Sequence, residues 1–167
     1  DSHGKLSTSA KKLRTMLWIS GLTWSIGSIG VILFTLATIL DQPLSFALDS
    51  TVLRSFLTQI TLGQYLLFQT LVALVITFAA IRVNKILTVI ALLILTFIGL
   101  IAPVFQSHSA SSGSHGLAIG SLVIHVVALS LWVGGVITLA ILEPEDRPVA
   151  VPRFSQLALW AAIAVVL

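Results

Sequence analysis

Long runs of apolar residues, separated by short polar segments, dominate the chain. A helix that crosses a bilayer needs roughly 20 apolar residues. Four complete runs of this kind lie at about 15–40, 65–81, 86–105 and 117–142, and a fifth starts near 157 and is still apolar at Leu167. The pattern predicts an all-α fold, a polytopic transmembrane helix bundle that forms one domain over 1–167. The apolar C-terminus indicates a fragment of a longer membrane protein.

The basic residues between these runs predict the orientation. Cytoplasmic loops carry an excess of Lys and Arg. Of the nine basic residues, only Arg54 lies in one of the loops 41–64 and 106–116, which we therefore place outside. The other eight lie in 1–14, 82–85 and 143–156. We expect a bacterial cytoplasmic membrane, with residues 1–14 in the cytoplasm.

The composition supports a lipid environment. Apolar residues make up 57% of the chain and charged residues 9%, and the mean hydropathy is +1.08. Soluble domains carry about 25% charged residues. We therefore expect the lipid bilayer as the principal partner, and no nucleic acid. With no cysteine in the chain, disulfides, thiolate metal sites and iron–sulfur clusters are excluded.

The predicted spans contain no Asp, Glu, Lys or Arg. Proton pumps and ion-coupled carriers usually have such a residue at mid-depth. An enzyme is also disfavoured, because paired intramembrane carboxylates, a Ser–His–Asp set and a nucleotide-binding loop are all missing from the sequence.

The outer segment 41–64 is amphipathic. Six apolar residues recur in it at helical spacing: Leu44, Leu48, Val52, Leu53, Phe56 and Leu57. We expect this segment either to lie in the membrane interface or to pack across the mouth of the bundle.

Small residues cluster in the first and fourth spans: Gly21, Ser25, Gly27, Ser28, Gly30, Ser130, Gly134 and Gly135. Small side chains let helices approach closely in lipid. They predict packing within the bundle, and a contact with another subunit is the alternative.

His125 is the polar residue of greatest interest, because it lies about 12 Å inside the fourth span. An ionisable group in hydrocarbon is costly without partners and indicates function. His125 shares a helix face with Ser121 and Trp132. Its imidazole is expected to be either a metal ligand or a neutral group hydrogen-bonded to a neighbouring helix, for example through Ser121 or a backbone carbonyl.

Two further histidines, His108 and His115, lie in or beside the second outer loop. Imidazole suits copper, zinc and nickel. If His115 begins the fourth helix, it lies about 15 Å from His125 along the axis, too far for one shared ion. We therefore predict His108 and His125 as the pair of metal ligands, with His115 as a peripheral or capture residue.

These residues resemble the copper-resistance D domain family. The shared pattern is His108 followed by a small residue, His125 seven residues before a Trp-x-Gly-Gly element (Trp132, Gly134 and Gly135), and Arg-Phe-Ser at 153–155 before the next span. The segments 43–45 and 55–59 resemble the actinobacterial version, often fused to a CtaG-type cytochrome c oxidase assembly module. One departure is Ser107, where the family usually has Gly.

The resemblance implies copper handling at the cytoplasmic membrane, as uptake of copper ions or as supply of copper to cytochrome oxidase assembly. It implies copper as the ion held by the histidines, and cytochrome c oxidase or a periplasmic copper chaperone as partners. The alternative is an accessory subunit of a respiratory cytochrome oxidase complex, in which the histidines are vestigial or structural.

Overall fold

The protein is all-α in the part that the computed structural model describes, residues 8–83, 85–104 and 115–166. The helices there are α1 (Thr8–Leu40), α2 (Leu44–Ala47), α3 (Ser50–Gln59), α4 (Thr61–Ala80), α5 (Ile86–Ile101), α6 (His115–Ile141) and α7 (Arg147–Val166). This confirms the predicted fold class.

Among the described residues, four segments are long and apolar enough to cross a membrane: Ala10–Leu40, Thr61–Ala80, Ile119–Ile141 and Arg147–Val166. The remaining apolar helix, α5, has 16 residues and ends at Ile101 instead of near 105. Pro103 follows two residues later, and proline cannot donate the backbone hydrogen bond that would continue a helix.

Helix α7 begins at Arg147, ten residues before the apolar run from which the fifth span was predicted. Its first ten residues are polar enough to resemble a loop, and they include two prolines. Pro148 lies in the first turn, where a missing N–H costs nothing, and Pro152 is accommodated inside the helix. The helix therefore extends well beyond the apolar sequence.

The chain divides into two compact units. One consists of Leu17–Ser111, called here the α1–α5 unit, and the other of Asp1–Met16 with Ser112–Leu167, called the α6–α7 unit.

In the α1–α5 unit, α1 and α4 pack along a line of small residues, the α1–α4 seam. A side chain at Gly21 would place its Cβ 2.7 Å from Thr77 Oγ1 and 3.1 Å from Thr77 Cα. Glycine is required there because the two backbones approach so closely. Ser25 and Ser28 continue the buried side of α1.

The short helices α2 and α3 close one end of this seam. Phe56 and Ala47 are buried in a cluster with Ile32 and Leu36 of α1 and Leu66 of α4. Of the two placements expected for the amphipathic outer segment, the structure thus shows packing across the helix ends.

Backbone hydrogen bonds and a side-chain cap fix where α1 ends and where α3 begins. Asp41 has φ 50°, and the N–H groups of Asp41 and Gln42 donate to the carbonyls of Thr38 and Ala37, the Schellman pattern that ends α1. Asp49 then begins α3, because its carboxylate accepts from the N–H groups of Thr51 and Val52 at 2.9 and 3.1 Å.

Helix α5 packs on the same unit through Leu92, which clusters with Val72, Ile76 and the partly buried Trp24. At Gly99, a Cβ atom would lie 2.7 Å from Val72 Cγ1 and 3.1 Å from Trp24 Cη2. The absent side chain lets α5 reach α1 and α4 at this level.

In the α6–α7 unit, the two helices form a hairpin. At the turn, Arg147 donates from Nε to the Leu142 carbonyl at 3.2 Å and from Nη2 to the Ala140 carbonyl at 3.5 Å. A cation on the last carbonyls of a helix is favourable. Within the same unit, Lys12 Nζ and Glu143 Oε1 form an ion pair of 2.6 Å.

Candidate functional site

His125 lies on α6, within the apolar segment Ile119–Ile141. Its side chain is exposed, and it makes no hydrogen bond to any residue that the structure describes. A free imidazole on an apolar helix is an unmet requirement for a partner.

Ser121 and Trp132 lie on the same side of α6 and are exposed as well, Trp132 by 49%. The structure contains no hydrogen bond between His125 and Ser121, which was one of the bonds expected of a purely structural histidine. The His125 face, defined as Ser121, His125 and Trp132, is therefore uncovered within the described residues.

His115 is the first residue of α6, and this was the condition for the predicted distance between His115 and His125. Because the helix runs unbroken from His115 through His125, ten residues put the two backbones about 15 Å apart along the axis. The position of the His115 side chain lies outside what the structure describes. His108 also lies outside the described residues, so the pairing of His108 with His125 stays a prediction.

Within residues 8–83, 85–104 and 115–166, no three His, Asp or Glu side chains come together in a group able to hold a metal ion. A copper site built on His125 therefore needs a ligand from the remaining residues or from another chain.

The two glycines of the Trp-x-Gly-Gly element have different surroundings. A Cβ atom at Gly134 would meet no described residue within 4 Å, whereas one at Gly135 would collide with the Cε2 and Cδ2 atoms of Phe154. Phe154 belongs to the Arg-Phe-Ser segment. Two of the sequence elements that suggested the family thus contact each other, and Gly135 has a packing role.

Buried hydroxyl groups form a second polar feature, on the α1–α4 seam. Ser25 Oγ lies 2.8 Å from the Gly21 carbonyl and 3.3 Å from Thr77 Oγ1, and Thr77 Oγ1 lies 2.8 Å from the Ala73 carbonyl. Sequence reasoning identified Ser25 and missed Thr77. The signal for it was the spacing of Thr70 and Thr77, two turns apart on one face of α4.

Residues 2–118 match the family model described as Copper resistance protein D-like, N-terminal domain. No curated protein and no solved structure matches the chain. The matched range contains the α1–α5 unit, His108 and His115, and it ends seven residues before His125.

Proposed function

The chain belongs to the copper resistance protein D-like family, and we propose that it takes up copper ions, or supplies them to cytochrome oxidase assembly, with histidines as ligands. Membership of this family supports a copper-related membrane function in general. The ion is cargo. It enters from the outer side at His108 and passes to His125, with His115 as a peripheral capture residue.

The exposed, unbonded imidazole of His125 carries this proposal. Desolvating a polar group without a partner is unfavourable, and binding a metal ion removes that cost. The chemistry of the chain favours the same group. It has no cysteine and a single methionine, Met16, so imidazole is the remaining side chain with good affinity for copper.

The test is copper content per molecule of purified full-length protein, in the wild type and in His125→Ala, His108→Ala and His3→Ala. We expect His125→Ala and His108→Ala to lose bound copper. His3→Ala is the matched control, because it removes an imidazole from the segment predicted to be cytoplasmic. Unchanged stoichiometry in His125→Ala contradicts the proposal.

A second candidate is the accessory subunit of a respiratory cytochrome oxidase. The observation in its favour is the uncovered apolar surface of α6. In the most apolar stretch of its candidate span, only 6% of the residues are buried within the described structure. Co-purification with an oxidase at fixed stoichiometry, without bound copper, would favour this candidate over copper handling.

A further inference from the structure

A groove runs between the end of α6 and the first half of α7. Its walls are mostly apolar and include Leu139, Val149 and Leu157, and two charged residues, Arg153 and Asp146, also line it. All of these residues belong to the α6–α7 unit. The groove is separate from the His125 face.

Arg153 supplies a positive charge in this groove. Arg153 is exposed and forms neither an ion pair nor a hydrogen bond within the described residues. Arg147, at the start of α7, donates to two backbone carbonyls. Asp146, the acidic residue of the groove lining, has an interaction partner of its own.

Arg153 lies near the boundary between the polar and the apolar part of α7. It lies six residues, about 9 Å, past the first residue of α7, and the apolar run of that helix begins four residues later, at Leu157. A long cationic side chain at such a boundary extends to the phosphates. Trp160, seven residues beyond Arg153 and 67% exposed, continues the same helix face toward the hydrocarbon.

We propose that this groove binds an anionic phospholipid. The guanidinium of Arg153 contacts the headgroup phosphate, and the apolar side chains Val149 and Leu157 contact an acyl chain. Guanidinium offers two parallel N–H donors to a phosphate. Basic pockets between spanning helices bind anionic headgroups by this combination of charge and apolar wall.

The experiment measures the thermal unfolding midpoint of detergent-purified full-length protein while phosphatidylglycerol, phosphatidylcholine or inorganic phosphate is added. We expect phosphatidylglycerol to raise the midpoint at concentrations at which the other two do not. In Arg153→Gln its apparent affinity falls roughly fivefold, the ratio that corresponds to about 1 kcal/mol per basic residue at a membrane surface. Arg82→Gln removes an exposed cation from the α4–α5 turn and leaves the affinity unchanged.

A second pair of variants tests the groove without altering Arg153. Val149 lines the groove and is 60% exposed, whereas Val151 is 46% exposed and lies on the opposite side of α7. Val149→Glu places a repelling carboxylate in the groove and weakens phosphatidylglycerol binding. Val151→Glu adds the same charge elsewhere and does not.

Three results would overturn the proposal. They are wild-type affinity in both Arg153→Gln and Val149→Glu, equal weakening by Val149→Glu and Val151→Glu, and an equal rise in midpoint with inorganic phosphate, which would indicate a site for free phosphate.

Discussion

The ring of Phe154 on α7 lies directly against Gly135 on α6, where any Cβ atom would overlap it. Gly134, the neighbouring glycine, has open space where a side chain would be added. Both glycines belong to the motif that carries the family resemblance, but within the described residues Gly135 is packed against a neighbour and Gly134 is not.

Gly135→Ala is expected to destabilise the α6–α7 hairpin by roughly 1–3 kcal/mol, the usual cost of overpacking. Gly134→Ala, one residue away, is expected to be neutral or slightly stabilising because alanine is the better helix former. Thermal unfolding of the purified variants measures both. The double variant Gly135→Ala with Phe154→Leu should recover part of the loss; if it does not, the Phe154 contact is not the cause.

Gly21→Ala is expected to push α1 away from α4, because the new methyl group would lie 2.7 Å from Thr77 Oγ1 and close to the Thr77 backbone. We expect a loss of roughly 1–3 kcal/mol. Gly27→Ala is the matched control on the same helix, since nothing lies within 4 Å of its Cβ position. Equal unfolding midpoints for the two variants would contradict the close approach at Gly21.

The ion pair between Lys12 and Glu143 is partly exposed, with side-chain exposures of 49% and 33%. Solvent screening limits such pairs to about 0–1 kcal/mol. A double-mutant cycle with Lys12→Ala and Glu143→Ala should give a coupling energy in that range, which falls at high salt. Lys11→Ala with Glu143→Ala is the control cycle, and a coupling of the same size there would show that the pair is not specific.

His125→Leu is expected to leave folding intact, with a stability change under about 0.5 kcal/mol, because an exposed side chain without described partners is replaced by an apolar one. Ala128→Leu on the same helix should destabilise the protein, because Ala128 is only 5% exposed. If His125→Leu unfolds the protein, His125 has a structural partner. If the variant stays folded but loses bound copper, the loss of copper is due to the missing ligand and not to misfolding.

The sequence predicted the all-α fold because hydrocarbon demands long apolar helices, which leave long apolar runs in the sequence. The third predicted span, 86–105, is in the structure a 16-residue helix, shorter than the four candidate spans. The sequence also predicted the seam residues Gly21 and Ser25 on α1. It did not predict that α7 starts at Arg147, because a polar amphipathic turn of helix and a loop have similar composition. The resemblance marked Gly135, but only the geometry of the hairpin identifies Phe154 as its contact.

The candidate site was predictable only in part, for a physical reason. The hydropathy of the sequence is sufficient to predict that His125 lies in an apolar span. Whether its imidazole is covered depends on how neighbouring helices are rotated, and the sequence alone does not specify those rotations. The uncovered His125 face is therefore new information from the structure.

The hydroxyl groups along the α1–α4 seam have a consequence for conduction. Ser28 Oγ and Thr70 Oγ1 donate to carbonyls of their own helices, those of Ser25 and Leu66, and the contact from Ser25 to Thr77 is the one hydroxyl-to-hydroxyl link among these four buried residues. A proton wire needs hydroxyls or waters bonded in series across the full depth. These four hydroxyls are not bonded in series, so by themselves they do not form a proton wire along the α1–α4 seam.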